Sequence, residues 1–293
     1  MSGCVDLHIH SHKSSDGDVS VHQLLRMARE ADLAAIAITD HDTTAAYPEA
    51  IRLGKEEGVE VIPSIELTTL YEGREFHLLL PFVDWDSPLL ESLIETVRER
   101  RHLEARARVA RLRELGFDLT WEEVQAESAP FAPLGVTIAQ VVLRKAAESG
   151  DPAFDRYFQA DTAQLAPYAF YRDYFMEDRP AFVPRRNVNL LEVLEEAPAM
   201  KGVPVLAHPG AAFQQVTRED LHALKAKGLQ GLEVYTSYHD EEQARMYLAL
   251  AGEFDLVATA GSDFHGSIKP HIPFGSLREG QYTMVEELEG RRP

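Results

Sequence analysis

The chain has 293 residues, 45% hydrophobic and 26% charged, with a formal net charge of −19. That composition suits a soluble globular protein with a sizeable core. It argues against a grip on long nucleic acid, which relies on clustered Lys and Arg at phosphates. No run reaches the ~18–20 apolar residues that cross a bilayer, and a single cysteine, Cys4, leaves no internal disulfide, so a reducing cytoplasm is the expected setting.

Strand-like and helix-like segments alternate through the first 84 residues. Val5–Ile9 is an apolar run. Ser20-Val-His-Gln23 is a capping-box signature ahead of Leu24, Leu25, Met27, Ala28 and Ala31 at helical spacing. Ala34–Thr39 is a second run, and a helix is expected from about Thr44 to Glu57, stopped by Gly58. Val59–Leu67 reads as a third strand bent at Pro63. Glu72-Gly73 then turns the chain into Phe76–Pro81, so a hairpin is expected here.

Residues 85–190 break the rhythm. Ser87-Pro88 opens a long, arginine-rich helix to Leu115, ended by Gly116. Thr120-Trp-Glu-Glu123 opens another, Gly135–Ser149 a third, and a Tyr/Phe/Arg-rich stretch follows from Tyr157 to Arg186. This segment is expected to be a mainly helical insertion able to lid a site. Val203–Ala207, Leu232–Tyr235 and Leu256–Ala260 then resume the strand pattern, with a helix from Thr217 to Gly228. The expected layout is a discontinuous domain of residues 1–84 and 191–293 interrupted by residues 85–190. Strand–helix alternation favours a mostly parallel sheet. A barrel would gather the polar residues that end its strands at one face.

Those polar residues carry the chemistry. In a strand, residues two apart share a face, so His8 and His10 project together as a pair of imidazole ligands. Asp16, His41, Glu66, His77, His208, Asp263 and His265 each follow or close an apolar run. Imidazoles with carboxylates and no thiolates suit Zn, Mn or Fe chemistry, and nine ligands suit three ions better than one or two. His12, His22, His102, His222 and His271 read as solvated.

Asp6-Leu-His8-Ile-His10-Ser, Ser15-Asp16-Gly17, Thr39-Asp40-His41-Asp42, Ser64-Ile-Glu66, Ala207-His208-Pro209 and Gly261-Ser-Asp263-Phe-His265 occur in this order over residues 6–265. Together they resemble the PHP (polymerase and histidinol phosphatase) family, and within it the small bacterial nucleotide and oligonucleotide phosphoesterases. The resemblance implies a distorted (β/α)7 TIM-like barrel holding three divalent ions, Mn, Fe or Zn. On that pattern His8, His10, Glu66 and Asp263 serve one edge of the cluster, Asp16, His41 and His265 another, and His77 and His208 the third. Two departures stand out. The His10-to-Asp16 spacing is one residue longer than in many relatives, which makes Asp18 an alternative ligand. Gly135-Val-Thr-Ile138-Ala replaces a segment in which relatives often carry Arg and His, and Ile138 cannot hold a phosphate.

The chemistry expected of such a site is in-line attack by a metal-bridging hydroxide on a small phosphate ester. The ester is expected to be a nucleoside 3′,5′-bisphosphate or a short oligonucleotide end. His239 resembles a family histidine near the substrate and is the candidate acid, with Asp40 and Asp42 orienting imidazoles. Arg101, Arg106, Arg179, Arg185 and Arg186 are candidates to clamp phosphate. Histidinol phosphate is the alternative substrate. A non-catalytic metal scaffold is the alternative of another class, and a C–N hydrolase is disfavoured because no suitably placed lysine is evident.

Overall fold

A computed structural model describes residues 3–159 and 165–293. The chain divides into two compact units, Met1–Glu95 with Val188–Pro293, and Thr96–Asn187. The boundary falls inside one long helix.

The first unit begins as the sequence pattern dictates. Strand β1 (Cys4–Ile9) leads to helix α1 (Val21–Glu30), whose Ser20 hydroxyl accepts from the Gln23 amide while the Gln23 side chain returns to Ser20. Strand β2 (Leu33–Ile38) precedes helix α2 (Tyr47–Glu57), closed by Gly58 at φ 73°. Helix α2 starts three residues later than expected, because the Thr44 hydroxyl is spent on the Trp85 carbonyl at 3.0 Å. Period-two alternation decides what β2 buries. Ile36 and Ile38 pack against α1 and α2, while Ala35 and Ala37 face a second core with Val5, Leu7, Leu79, Val205 and Val257.

Val59–Leu67 is not one strand. It contains β3 (Glu60–Val61), which pairs in parallel with β2, and the start of β4 (Glu66–Tyr71), which belongs to another sheet. Strand β4 forms the expected hairpin with β5 (Arg74–Leu79) across Tyr71 and Arg74. Further along lie β6 (Val188–Asn189), too short to be read from sequence, β7 (Val205–Leu206), β8 (Gly231–Thr236) and β9 (Val257–Gly261).

The ladders form a three-stranded sheet, β1-β2-β3, and a six-stranded sheet, β6-β4-β5-β7-β8-β9. These ladders do not close into the expected distorted barrel among the described residues. Among the described residues the two sheets are joined by isolated bridges, Ile9 with Phe264 and His41 with Glu66, and β5 runs antiparallel to both neighbours. The fold is α/β.

The second unit has its own apolar core. Helix α3 (Pro88–Glu114) enters it, and α4 (Trp121–Ser128), α5 (Gly135–Ser149) and α6 (Ala166–Tyr174) follow. Val109, Leu112, Val124, Ile138, Phe170 and Phe175 fill that core. Ile138 is fully buried there.

Tyr47 ties the first unit together near its polar centre. Its buried hydroxyl donates to the Ile38 carbonyl and accepts from the Ser64 amide. Tyr47→Phe is expected to strand that amide and lower stability by about 1–3 kcal/mol. The measurement is a urea titration, in which the midpoint falls with an unchanged slope.

Candidate metal centre

All nine sequence-predicted ligands come together in the first unit. His8 and His10 extend from β1, His41 follows β2, His208 follows β7, and Asp263 and His265 follow β9. Glu66 and His77 depart from the expected pattern. Glu66 opens β4 rather than closing a strand, and His77 lies within β5, its register partner Thr68. Strand β5 runs against both its neighbours, so His77 comes from a strand of opposite direction, whereas β4 is parallel to β6.

Glu66 is the hub. Its Oε2 lies 3.2 Å from His8 Nε2, 3.1 Å from His10 Nε2 and 3.3 Å from His41 Nδ1. Its Oε1 lies 2.8 Å from His77 Nδ1 and 3.2 Å from His208 Nε2. Asp263 Oδ1 stands 3.2 and 3.1 Å from the same His8 and His10 nitrogens. Asp16 Oδ2 stands 3.2 Å from His265 Nε2 and 3.5 Å from His41 Nε2. Three sets of ligand atoms are close enough to share an ion: His8, His10, Glu66 and Asp263; His10, Asp16, His41 and His265; and His41, Glu66 and His77. His10 and His41 thus each belong to two sets, which the expected grouping did not foresee.

The donors fit metal ions better than they fit one another. His8 Nε2, His10 Nε2, His41 Nδ1, His265 Nε2 and Glu66 Oε2 are buried without a hydrogen-bond partner, a condition that native proteins avoid. The opposite nitrogens of two rings are engaged elsewhere, His8 Nδ1 with Glu233 and His265 Nδ1 with the Asp263 carbonyl. Lone pairs therefore face inward. At zinc–ligand bonds of about 2.0–2.1 Å, the ligands of a tetrahedral ion stand about 3.3–3.4 Å apart, close to the 3.1–3.2 Å of the first set.

Charge in the cluster is shared unequally. Burial works against protonation of His8, yet Glu66, Glu233 and Asp263 hold its pKa well above the ordinary imidazole value. His10 is raised in the same way, to about 9. Burial holds His41 well below that value and also lowers His208. Burial opposes ionisation of Glu66, Asp16 and Asp263, but neighbouring imidazoles keep Glu66 and Asp16 far below the usual carboxylate range, and Lys269, ahead of His265 and His8, does so for Asp263.

The structure also gives the surroundings of the other candidate residues. Asp40 accepts from the Ser11 amide at 2.6 Å and hydroxyl at 2.7 Å, and Asp42 from the Thr68 amide at 3.0 Å. Both hold backbone in place. His239 accepts from the Gly210 amide at 2.9 Å and uses Nδ1 on the Val234 carbonyl at 2.8 Å. With both nitrogens occupied, it braces the His208-Pro-Gly loop and is not a free acid. Asp18 is not in the cluster and binds the Ser267 amide. All five candidate arginines lie in the second unit. There Arg106 stacks on Trp121 at 4.1 Å, Arg185 approaches the Tyr171 hydroxyl at 3.3 Å, the Arg186 amide donates to Glu104, and the Arg179 amide to the Met176 carbonyl. Arg101 is also engaged.

Sequence reasoning passed over four supporting residues. Glu233 is fully buried in β8; its Oε1 lies 3.0 Å from His8 Nδ1 and its Oε2 accepts from the His208 amide at 2.7 Å. Asp6 receives the Ser262 amide at 2.9 Å and so ties β1 to the loop carrying Asp263. A lysine does reach the centre: Lys269 Nζ lies 2.6 Å from Asp263 Oδ2, and the Tyr238 hydroxyl donates to the same oxygen at 2.8 Å. The available signal was a carboxylate inside an apolar strand, as at Asp6 and Glu233. Backbone is constrained here too. Asp263 has φ 57° and His208 φ 26°, in the positive-φ half of the map that only a few per cent of non-glycine residues occupy. A Cβ at Gly261 would stand 2.2 Å from His8 Cβ and 2.3 Å from Glu233 Oε1, so no larger residue fits there without displacing them.

Known proteins resemble this chain in sequence and fold. The PHP domain matches residues 6–127. A phosphoribosyl 1,2-cyclic phosphate 1,2-diphosphodiesterase from Eggerthella lenta is 31% identical over 277 residues, 92% of this chain and 97% of that protein. A 3′,5′-nucleoside bisphosphate phosphatase from Chromobacterium violaceum is 25% identical over 263 residues, 89% of this chain and 87% of that one. A solved structure from Bifidobacterium adolescentis, assigned as a metal-dependent phosphoesterase, superposes with a TM-score of 0.76 at 28% identity, covering 99% of this chain and 96% of its own.

Carboxylates that orient metal-binding imidazoles are worth about 10–100-fold in metal affinity. Glu233→Gln is therefore expected to weaken Mn²⁺ or Zn²⁺ binding by that factor while leaving the circular dichroism spectrum unchanged. Competition against a chelator measures it.

Proposed function

The chain belongs to the PHP domain family of phosphoesterases, and on that footing we propose that it cleaves a phosphate ester carried on ribose, with three divalent ions held by the nine-residue cluster. The observation that carries the reading is the set of buried imidazole and carboxylate atoms that face one another without hydrogen-bond partners. The substrates named for the Eggerthella and Chromobacterium relatives both contain a phosphorylated ribose. A nucleoside 3′,5′-bisphosphate or the end of a short oligonucleotide is the substrate class we favour. Family membership also supports reading the two sheets as an interrupted TIM-like barrel.

Bound ions would lower the pKa of a coordinated water toward ~7 and neutralise charge on the phosphate. The residues of the chain prepare that chemistry. His8, His10, Glu66 and Asp263 would hold one ion, and His10, Asp16, His41 and His265 a second. Glu66 with His41 and His77 would hold the third, with His208 beside them. Glu233 fixes the ring of His8 from behind. Lys269 and Tyr238 restrain the outer oxygen of Asp263, which leaves its inner oxygen facing His8 and His10. Ser14 donates to Asp16 and accepts from the His41 amide, so these two ligands are set by one hydroxyl.

Elemental analysis of protein purified after growth with Mn, Fe and Zn is expected to give two to three ions per chain, and less than one would overturn the reading. Asp263→Ala and His10→Ala are each expected to reduce phosphate release by far more than tenfold, with the fold retained by circular dichroism. A panel of nucleoside bisphosphates, histidinol phosphate and short RNA then ranks the esters by kcat/KM.

A further inference from the structure

The loop after β7 carries an aromatic ring to the edge of the cluster. Phe213 is 45% exposed, and its ring centroid lies 5.1 Å from that of His77 and 5.5 Å from that of His208. Single exposed apolar side chains are ordinary on protein surfaces, so exposure alone carries nothing. What sets Phe213 apart is its position and its rigidity.

The backbone around it is pinned on both sides. Buried Gln214 donates from Nε2 to the Ala207 carbonyl at 2.8 Å, and its Oε1 accepts from the His77 amide at 3.1 Å. The Gln214 amide returns to Ala211 and the Val216 amide to Pro209, each at 2.9 Å. A fixed backbone therefore holds the ring beside two of the cluster imidazoles. Tyr238, the other aromatic residue against His208, has a task there because its hydroxyl holds Asp263. Phe213 has no polar atom and serves no hydrogen bond, so what it offers at the site is an apolar face.

We propose that Phe213 is the base-stacking residue of this site, and that the ester cleaved carries a planar heteroaromatic base one sugar away from the phosphate. The inference rests on the phosphoesterase reading and deepens it, by assigning the preference for a nucleoside phosphate to one side chain. Stacking of a base on an aromatic side chain is sequence-tolerant, because every base has a π-face. Discrimination then falls between esters with a base and esters without one.

The test uses the full chain loaded with Mn²⁺ and compares adenosine 3′,5′-bisphosphate with ribose 5-phosphate, which lacks the base. Phe213→Ala is expected to lower kcat/KM on the bisphosphate by roughly 5- to 150-fold, mainly through KM. On ribose 5-phosphate it is expected to stay within about twofold of wild type. Phe213→Trp is expected to restore the bisphosphate value, and metal content is expected to be unchanged in both variants. Equal losses on the two esters, loss of metal, or no loss on either would overturn the stacking role. Calorimetric binding of adenosine 5′-monophosphate and ribose 5-phosphate runs alongside. A wild-type chain that releases no phosphate would overturn the catalytic reading. Stacking would still be decided by whether Phe213→Ala weakens adenosine monophosphate and spares ribose 5-phosphate.

Discussion

One buried carboxylate faces five imidazoles, and the first unit is arranged around that fact. Glu66 is fully buried, and a lone ion in such a place is costly unless it is paired or coordinates a metal. His8, His10, His41, His77 and His208 reach it from four separate stretches of chain. The backbone converges with the side chains, because the isolated His41–Glu66 bridge joins the two sheets at the same point. The centre therefore sits on the seam between the sheets, where the ladders themselves are thinnest.

Supporting residues follow from this placement. A cluster on a seam needs each ligand fixed from outside, and Glu233, Asp6, Ser14, Lys269 and Tyr238 do this with hydrogen bonds of 2.6–3.2 Å. Asp40 and Asp42 act one step further back, holding Ser11 and Thr68. Left-handed backbone at His208 and Asp263 and the required glycine at position 261 show how closely the segments approach.

The convergence of the nine residues was legible in the sequence because strand alternation makes His8-x-His10 a same-face pair, and the others adjoin apolar runs. Helix boundaries marked by capping boxes were equally legible, at Ser20, Thr120 and Thr217. The split of Val59–Leu67 between two sheets was not, since apolar periodicity reports burial and says nothing of which strand is the neighbour. Glu233 and Lys269 escaped for a similar reason: their partners, His8 and Asp263, are set by tertiary structure. His239 was read as an acid from its motif, but hydrogen bonds at both ring nitrogens give it a bracing role that no motif encodes.

The order in which the chain is made bears on the divided first unit. His8 through His77 leave the ribosome before the second unit, whereas His208, Asp263 and His265 come only after it. At ~5–20 residues per second, roughly 10–40 s of synthesis separate His77 from Asp263. Throughout that interval the nascent chain carries Glu66 with four of the five imidazoles that face it, and the set of His41, Glu66 and His77 lies wholly within this earlier stretch. The two sets that need Asp263 or His265 can be assembled only after the second unit has been made.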